Sequence, residues 1–452
     1  MSDTALTSPV HSNGPHSGRC NAPDAFGISC DTSAWLEPEG GRATRGQAAR
    51  TALTRLEERY RDGALPFLTV LRSGPPARDY LDVGRRFSRD AGLVVHCGGG
   101  SLYAGRAFVA AAAAENSHPA ATRPPVVFAE SIDPNACAQL RRTLDQVGQK
   151  HVYLMIVSKF GQTTETLALF AMLLEWYSQT LEPEVVRERA VCLTEAGPSP
   201  LRALAQARGI PILEVPADVG GQVRGVHGIR APVGRHWCKR VGAARTRCPG
   251  RRQSRPGARV SREGLSPTAQ SAAAMAAFHE RHGTGSLVKL AYTSAMEPLQ
   301  TWYGQPVSES LGKGRRGFSP VTVRGTDDEH SQLQQWLDGP PGQMITLLRS
   351  GTACDVQLPA DLPGYPSWFL RRLGSLWHAH ADATCGSLAT AGRPVRTFTF
   401  ARRSQAAYGA LMAHLMLETE LVADLLGINP FGQPTVEDTR ERIVQILTKV
   451  AH

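Results

Sequence analysis

The sequence lacks the features that would place it in a membrane or in an oxidising compartment. No apolar run approaches the roughly twenty residues that cross a bilayer, and the N-terminus lacks the apolar core of a secretory signal. None of the nine cysteines belongs to a CxxC pair, and their number is odd. These absences argue against a disulfide framework. We therefore expect a cytoplasmic protein with reduced cysteines and no membrane partner.

Acidic residues are missing from one long stretch of the chain. Residues 222–262 contain eleven arginines, one lysine and no acidic residue. The net charge of +10 comes from this stretch, because the other 38 basic residues are balanced by 40 acidic ones. Because the rest of the chain is nearly neutral, its charge does not favour a nucleic-acid partner. A basic loop that binds nucleic acid is the alternative for this stretch, and a salt-dependent affinity for DNA that is lost on its deletion would support it.

Short apolar segments alternate with helical patterns along most of the chain. The predicted strands are residues 93–97, 125–130, 152–158, 190–195 and 210–216, then 286–293, 319–325, 344–350 and 395–401. The predicted helices are residues 50–61, 135–147, 164–179, 268–282, 297–313, 373–391, 408–426 and 435–450. This alternation predicts an α/β fold with mostly parallel sheets that are covered by helices on both faces. The length of 452 residues favours two such domains over one.

Two loops that follow predicted strands carry groups suited to an anion. The first, CGGGS at residues 97–101, brings backbone N–H groups to the start of a helix, which by itself is a weak signal. The second, SKFGQTTET at residues 158–166, adds the hydroxyls of Ser158 and Thr163 beside Lys159. Any one hydroxyl here could serve only as a helix N-cap, but the cluster favours a phosphate monoester. The GxxxxGK[ST] order is absent, so a nucleoside triphosphate is not expected.

Two further residues are candidates for acid–base chemistry. Glu309 lies on a predicted helix four residues after Gln305, and His330 lies in a polar segment that follows a strand. A lone glutamate on a helix is usually solvated, and a lone histidine is usually structural. The residue pattern alone therefore indicates a phosphorylated ligand and a possible acid–base pair.

Seven motifs occur in the order found in glucose-6-phosphate isomerases. They are GGGS, SKFGQTTET, DVGG, ESLGK, GTDDEHSQLQ, DGP and LLGINPFGQPTVE. The chain resembles this family over residues 50–221 and 264–445. The resemblance implies two SIS-type αβα sandwich domains with mostly parallel sheets and a helical C-terminal segment. It also implies a homodimer that interconverts glucose 6-phosphate and fructose 6-phosphate through a cis-enediol, without a metal or redox cofactor.

Composition, charge and the resemblance together divide the chain into five parts. They are a flexible N-terminal tail (1–48), a first SIS-like domain (49–221), the anomalous basic segment (222–263), a second SIS-like domain (264–428) and a C-terminal helix that contributes to the site (429–452).

The same resemblance assigns roles at matching positions. Glu309 matches the base that moves a proton between C2 and C1, and His330 matches the ring-opening histidine that the partner subunit donates. Arg440 stands where the family has a lysine that acts at the ring oxygen. The remaining matches are substrate-binding residues: Gly100, Ser101, Ser158, Lys159, Thr163, Gly221, Gln222, Gln305 and Gln433. The alternative is a non-catalytic sugar-phosphate-binding SIS protein, which would need neither Glu309 nor His330, so their presence favours the enzyme.

The most serious departure from the family is Gln222, which replaces an arginine that follows the VGG motif. An uncharged amide cannot stabilise the negative charge of an enediolate in the same way, and such a loss costs on the order of 10²–10³ in turnover. Plausible codons from position 222, read one base later, encode RFAVFTESGLL, which is the segment that the family has here. We therefore expect residues 222–262 to be translated out of frame, with reduced stability and activity. A genuine basic insertion is the alternative.

Overall fold

Thirteen α-helices and ten strands form the part of the chain that the structure, a computed structural model, describes. This part comprises residues 28–32, 42–65, 78–115, 124–215, 266–283, 285–351, 356–359, 363–364 and 372–450. The predictions for Gly221, Gln222 and the basic stretch that follows lie outside these residues.

The first half of the chain alternates helices and strands as predicted. Its elements are β1 (Ile28–Asp31), α1 (Arg42–Arg61), α2 (Arg78–Asp90), β2 (Leu93–Gly98), α3 (Ser101–Glu115), β3 (Val126–Ala129), α4 (Pro134–Val147), β4 (Val152–Val157), α5 (Thr164–Ser178), α6 (Pro183–Arg189), β5 (Ala190–Thr194), α7 (Pro200–Ala207) and β6 (Ile212–Glu214).

The second half begins after the basic stretch and repeats the alternation. Its elements are α8 (Pro267–His282), β7 (Gly285–Ala291), α9 (Glu297–Pro306), β8 (Phe318–Arg324), α10 (Glu329–Asp338), β9 (Gln343–Ser350), α11 (Leu373–Thr390), β10 (Val395–Phe400), α12 (Gln405–Leu425) and α13 (Pro434–Val450).

The first sheet is parallel throughout, with the strand order β3-β2-β4-β5-β6. Every residue of β4 is buried, because helices cover both faces of a parallel sheet. Alternate residues of this strand accordingly enter two different apolar clusters, with Leu154 on one face and Tyr153 and Met155 on the other. This sheet confirms the predicted α/β fold class for the first half of the chain.

The second sheet has the order β1-β10-β9-β7-β8 and is parallel except at one edge. There β1 runs antiparallel to β10, with Ile28 paired to Phe400 and Cys30 to Phe398. The side chains of Ile28 and Cys30 are buried. The prediction of a flexible tail through residue 48 is therefore wrong for Ile28–Asp31, which gain backbone hydrogen bonds to β10 and bury an apolar face. It is also wrong for residues 42–48, which form the start of α1.

One apolar core joins the two halves of the chain. Helix α3 of the first half packs against α9 and α12 of the second, and the core between them includes Ala107, Phe108, Trp302 and Leu415. The contact brings α9 beside the loops that follow β2 and β4. Among the described helices, none is both long enough and apolar enough to cross a membrane.

Candidate active site

A cavity of about 560 Å³ lies where the loops after β2 and β4 meet helix α9. Its volume is within the usual range of about 300–1,000 Å³ for small-molecule sites. Ligands of open α/β sheets typically bind at such strand ends. Eight of the twelve predicted site residues line this cavity: Gly100, Ser158, Lys159, Thr163, Gln305, Glu309, Gln433 and Arg440.

The loop after β4 presents hydroxyl and ammonium groups to the cavity. The hydroxyls of Ser158 and Thr163 lie 3.1 Å apart. Thr163 occupies the N-cap position of α5, but its side chain makes no capping hydrogen bond. The Lys159 ammonium lies 3.6 Å from the Glu195 carboxylate, and the Thr194 hydroxyl donates to the Lys159 carbonyl at 2.8 Å. The end of β5 and the residue after it thus hold the loop in place, and the hydrogen-bond donors of the loop face the cavity.

The glycine loop after β2 lies directly against α9. A Cβ atom at Gly100 would lie 2.4 Å from Nε2 of Gln305, so this position accommodates only glycine at the observed distance. A Cβ atom at Gly99 would lie 3.8 Å from the methyl carbon of Thr163 in the loop after β4. Ser101 is the first residue of α3. Glycine at position 100 therefore lets the loop after β2 approach α9 closely.

Glu309 lies just beyond the end of α9 in a π-helical turn, Val307–Leu311. The prediction of one continuous helix over residues 297–313 is wrong at this point, because the α-helix ends at Pro306. Nε2 of Gln305 donates a hydrogen bond to Oε1 of Glu309 at 2.9 Å. Isolated π-helical turns occur frequently at functional sites. This turn directs a carboxylate, with one oxygen held by an amide, into the cavity.

The C-terminal segment supplies the remaining wall of the cavity. The Lys313 ammonium donates to the carbonyls of Asn429 and Phe431, both at 2.8 Å, and so holds the chain just before α13. Gln433 and Arg440 follow and line the cavity. Arg440 also pairs with Glu437 on the same helix. The loops after β2 and β4, α9 with its π-helical turn, and the C-terminal segment are four separate regions of the sequence that therefore build one site.

Comparison with known proteins identifies the family. No protein-family model matches the chain. A glucose-6-phosphate isomerase of Rubrobacter xylanophilus is 30% identical over 326 residues, which are 70% of this chain and 72% of the relative. One from Thermus thermophilus is 32% identical over 321 residues, 69% of this chain and 74% of the relative. The chain belongs to the glucose-6-phosphate isomerase family. This is a family of aldose–ketose isomerases, and the fold and motif order agree with it.

A solved structure agrees with the chain over a greater length than these sequences do. A hypothetical protein from Thermus thermophilus superposes with a TM-score of 0.71 at 25% identity, covering 90% of this chain and 95% of that chain. The shared fold therefore extends across both halves of this family member.

His330, the ring-opening histidine of the glucose-6-phosphate isomerase resemblance, does not line the cavity of the single chain. It is the second residue of α10. The preceding Glu329 accepts hydrogen bonds from the hydroxyls of Tyr292 and Thr384, the latter at 3.2 Å, and this fixes the start of the helix. The predicted donation of His330 to the site of a partner subunit stays a prediction.

Sequence reasoning missed one cation of this isomerase-family cavity. Lys289 lies in β7 and lines the cavity although only 2% of its surface is exposed. Burial lowers the pKa of its ammonium to about 7. The signal in the sequence was a lysine within the otherwise apolar strand SLVKLAYT. The residue pattern of that segment by itself predicts only a strand.

Proposed function

We propose that this chain interconverts glucose 6-phosphate and fructose 6-phosphate, with Glu309 as the catalytic base. The observation that carries the proposal is that Glu309 and the hydroxyl-rich loop at Ser158 and Thr163 line one cavity of about 560 Å³. A single hexose phosphate would have its phosphate at the loop and its first two carbons at the carboxylate. Names of the relatives support the same reaction.

The proposed reaction moves one proton between neighbouring carbons. Glu309 removes the proton from C2 of the open-chain aldose, the C2–H electron pair forms the C1=C2 bond of the enediol, and the carbonyl oxygen at O1 is protonated. The ketose then forms from the enediol: O2 loses its proton, the carbonyl forms at C2, and Glu309 returns a proton to C1. A carboxylate that serves both carbons must stay in one orientation, and the hydrogen bond from Gln305 restricts its rotation.

The other predicted residues hold the substrate in this proposal. Ser158, Lys159 and Thr163 bind the phosphate by charge and hydrogen bonding. Arg440 and Gln433 contact the sugar, and His330 of a second copy assists ring opening in a homodimer. The internal proton transfer uses these donors and needs no redox cofactor.

We further propose that the chain as written is impaired. Gln222 cannot supply the positive charge that the family places beside the enediolate, so we expect turnover about 10²–10³ below that of a chain with arginine there. The basic stretch also has no apolar period with which to pack. Residues 222–262 read one base later should restore both activity and stability. The coding sequence provides an independent check, since a one-base change near codon 222 must restore an apolar segment.

A coupled assay tests the reaction and separates it from a non-catalytic role. Fructose 6-phosphate is supplied, and the glucose 6-phosphate formed is oxidised by a dehydrogenase in both the written and the frame-restored chains. Glu309→Gln should abolish conversion and solvent exchange of the C1 hydrogen of fructose 6-phosphate while binding is retained, and Glu280→Gln on the surface of α8 should change neither. A frame-restored chain that binds fructose 6-phosphate without exchanging its C1 hydrogen would instead identify a non-catalytic binding protein.

A further inference from the structure

Lys289 is a buried cation that the proposed reaction does not use. Its ammonium donates one hydrogen bond, to the carbonyl of Gln300 at 2.8 Å. Within the described residues, it makes no ion pair with a carboxylate. A buried ammonium has three donors and a large desolvation cost. The single contact with α9 leaves most of that cost without compensation.

Gly304 lines the cavity and lies directly against the buried Lys289 ammonium. A Cβ atom at Gly304 would lie 2.8 Å from Nζ of Lys289, so any larger residue there would displace the ammonium. Gly304 belongs to one face of α9 and the following turn, and this whole face lines the cavity. Its members are Thr301, Gly304, Gln305, Ser308 and Glu309. The ammonium therefore lies beside the same polar face that carries the proposed base.

The described strands around Lys289 provide no counter-charge. Thr322 on β8 and Thr346 on β9 pair with it in register and point to the same side of the sheet. Arg396, one strand further along this row, is neutralised by Glu418.

Among the described residues, few charged side chains line the cavity with Lys289. They are Lys159, Glu309 and Arg440. Of these, only Glu309 is an anion, and it accepts a hydrogen bond from Gln305. Lys289 is therefore positioned to meet an anionic ligand in the cavity.

We propose that Lys289 is a ligand-binding cation of this cavity, whose ammonium donates a hydrogen bond beside Gly304 to an oxygen of a bound sugar phosphate. The inference rests on the proposed function for its ligand class. It adds a binding residue that lies in none of the seven motifs of the resemblance, and it places a positive charge on β7 in the wall of the cavity.

Ligand binding at Lys289 is coupled to proton uptake. Because burial lowers the pKa of Lys289 to about 7, about three quarters of the amine is uncharged at pH 7.5. A bound oxygen acceptor and a nearby dianion favour the charged form and raise this pKa. Binding then takes up roughly 0.7 proton at pH 7.5. Since the pKa rises on binding, the affinity is greatest below pH 7 and falls as the pH rises above that value.

Calorimetry with sorbitol 6-phosphate, a non-isomerisable sugar phosphate, tests the inference on the full chain. Titration at pH 7.5 in two buffers of different ionisation enthalpy gives the number of protons taken up. The native chain should take up roughly 0.7 proton, and Lys289→Met should lose this uptake and bind about 10- to 100-fold more weakly. Lys150→Met, which changes an exposed lysine, should behave as the native chain does. Gly304→Ala is a second variant, which displaces the ammonium while keeping the lysine.

The outcomes separate the inference from the proposed function. Loss of proton uptake in Lys289→Met, or in Gly304→Ala if the first variant does not fold, would support the inference. Binding and proton uptake that stay at native values in both variants would assign Lys289 a purely structural role and leave the proposed function in place. A native chain that does not bind sorbitol 6-phosphate at all would overturn both.

Discussion

A buried ion pair beneath the site gives the sharpest stability prediction. Arg396 and Glu418 form a bidentate pair in which both side chains are 0% exposed. The Tyr303 hydroxyl donates to Glu418 at 2.7 Å, and the Arg396 Nε donates to the Thr346 hydroxyl at 3.0 Å. These bonds connect β10 and β9 to α12 and α9. The residue on α9 is Tyr303, which lies two residues before Gln305.

Removing one member of this pair leaves an uncompensated charge in a dry core. Glu418→Leu should therefore lower the free energy of unfolding by about 3–5 kcal/mol. At about 2–4 °C per kcal/mol for a domain of this size, the melting temperature should fall by roughly 6–20 °C. Arg396→Met should cost a similar amount for the same reason. The double variant Arg396→Met/Glu418→Leu removes both charges, so it should be nearly as stable as the native chain or more stable.

Urea unfolding of the two single variants and the double variant forms a double-mutant cycle that measures the coupling. Burial by itself raises the pKa of Glu418, but the charge and hydrogen bonds of Arg396 more than offset burial, and the pKa is lowered overall. The contribution is therefore complete above the ordinary glutamate pKa and is lost as the pH falls through the lowered value. Single variants that each cost under about 1 kcal/mol, or a double variant as unstable as their sum, would refute this reasoning.

Three further changes test individual contacts of the site. Gln305→Ala removes the hydrogen bond at 2.9 Å to Glu309, so the frame-restored chain should lose about tenfold or more in kcat with a smaller change in KM; an unchanged kcat would contradict the orienting role. Thr163→Val keeps the shape of the side chain but removes a hydroxyl from the loop at residues 158–166. Steady-state kinetics should show the KM for fructose 6-phosphate rising about tenfold, and an unaltered KM would mean that the phosphate binds elsewhere. Glu329→Ala leaves the Tyr292 hydroxyl without its carboxylate acceptor, and chemical unfolding should show a loss of about 1–3 kcal/mol; full native stability would mean that water replaces this contact.

Most of the secondary structure was predictable because its signals are local. The strand LVVHC at residues 93–97 became β2 with one added residue, and the helix predicted at residues 373–391 became α11 with one residue fewer. Four helices, α2, α6, α7 and α10, were not predicted. Of these, α6 and α7 have seven and eight residues, which is too short for a helical period to be distinguished from a loop.

The candidate site was predictable to the extent that its residues occur in motifs. The loop at residues 158–166 and the Gln305–Glu309 pair were identified from order and spacing, and the fold brings both to one cavity. Ser101 was identified in the same way, and the structure has it as the first residue of α3. The other two residues identified in this way, Gly221 and Gln222, lie outside the described residues. Lys289 was missed because a strand pattern gives no information about which cavity a side chain enters.

The sequence by itself determined the α/β class, the two repeats of strand and helix, and the kinds of groups carried by each loop, because periodicity and residue chemistry are properties of short segments. Only the tertiary structure decided that β1 joins the second sheet, that α3 packs against α9, and that Gly304 lies against the ammonium of Lys289. Each of these depends on contacts between residues far apart in the chain. Such contacts are selected by the packing of a whole core, which no local pattern encodes.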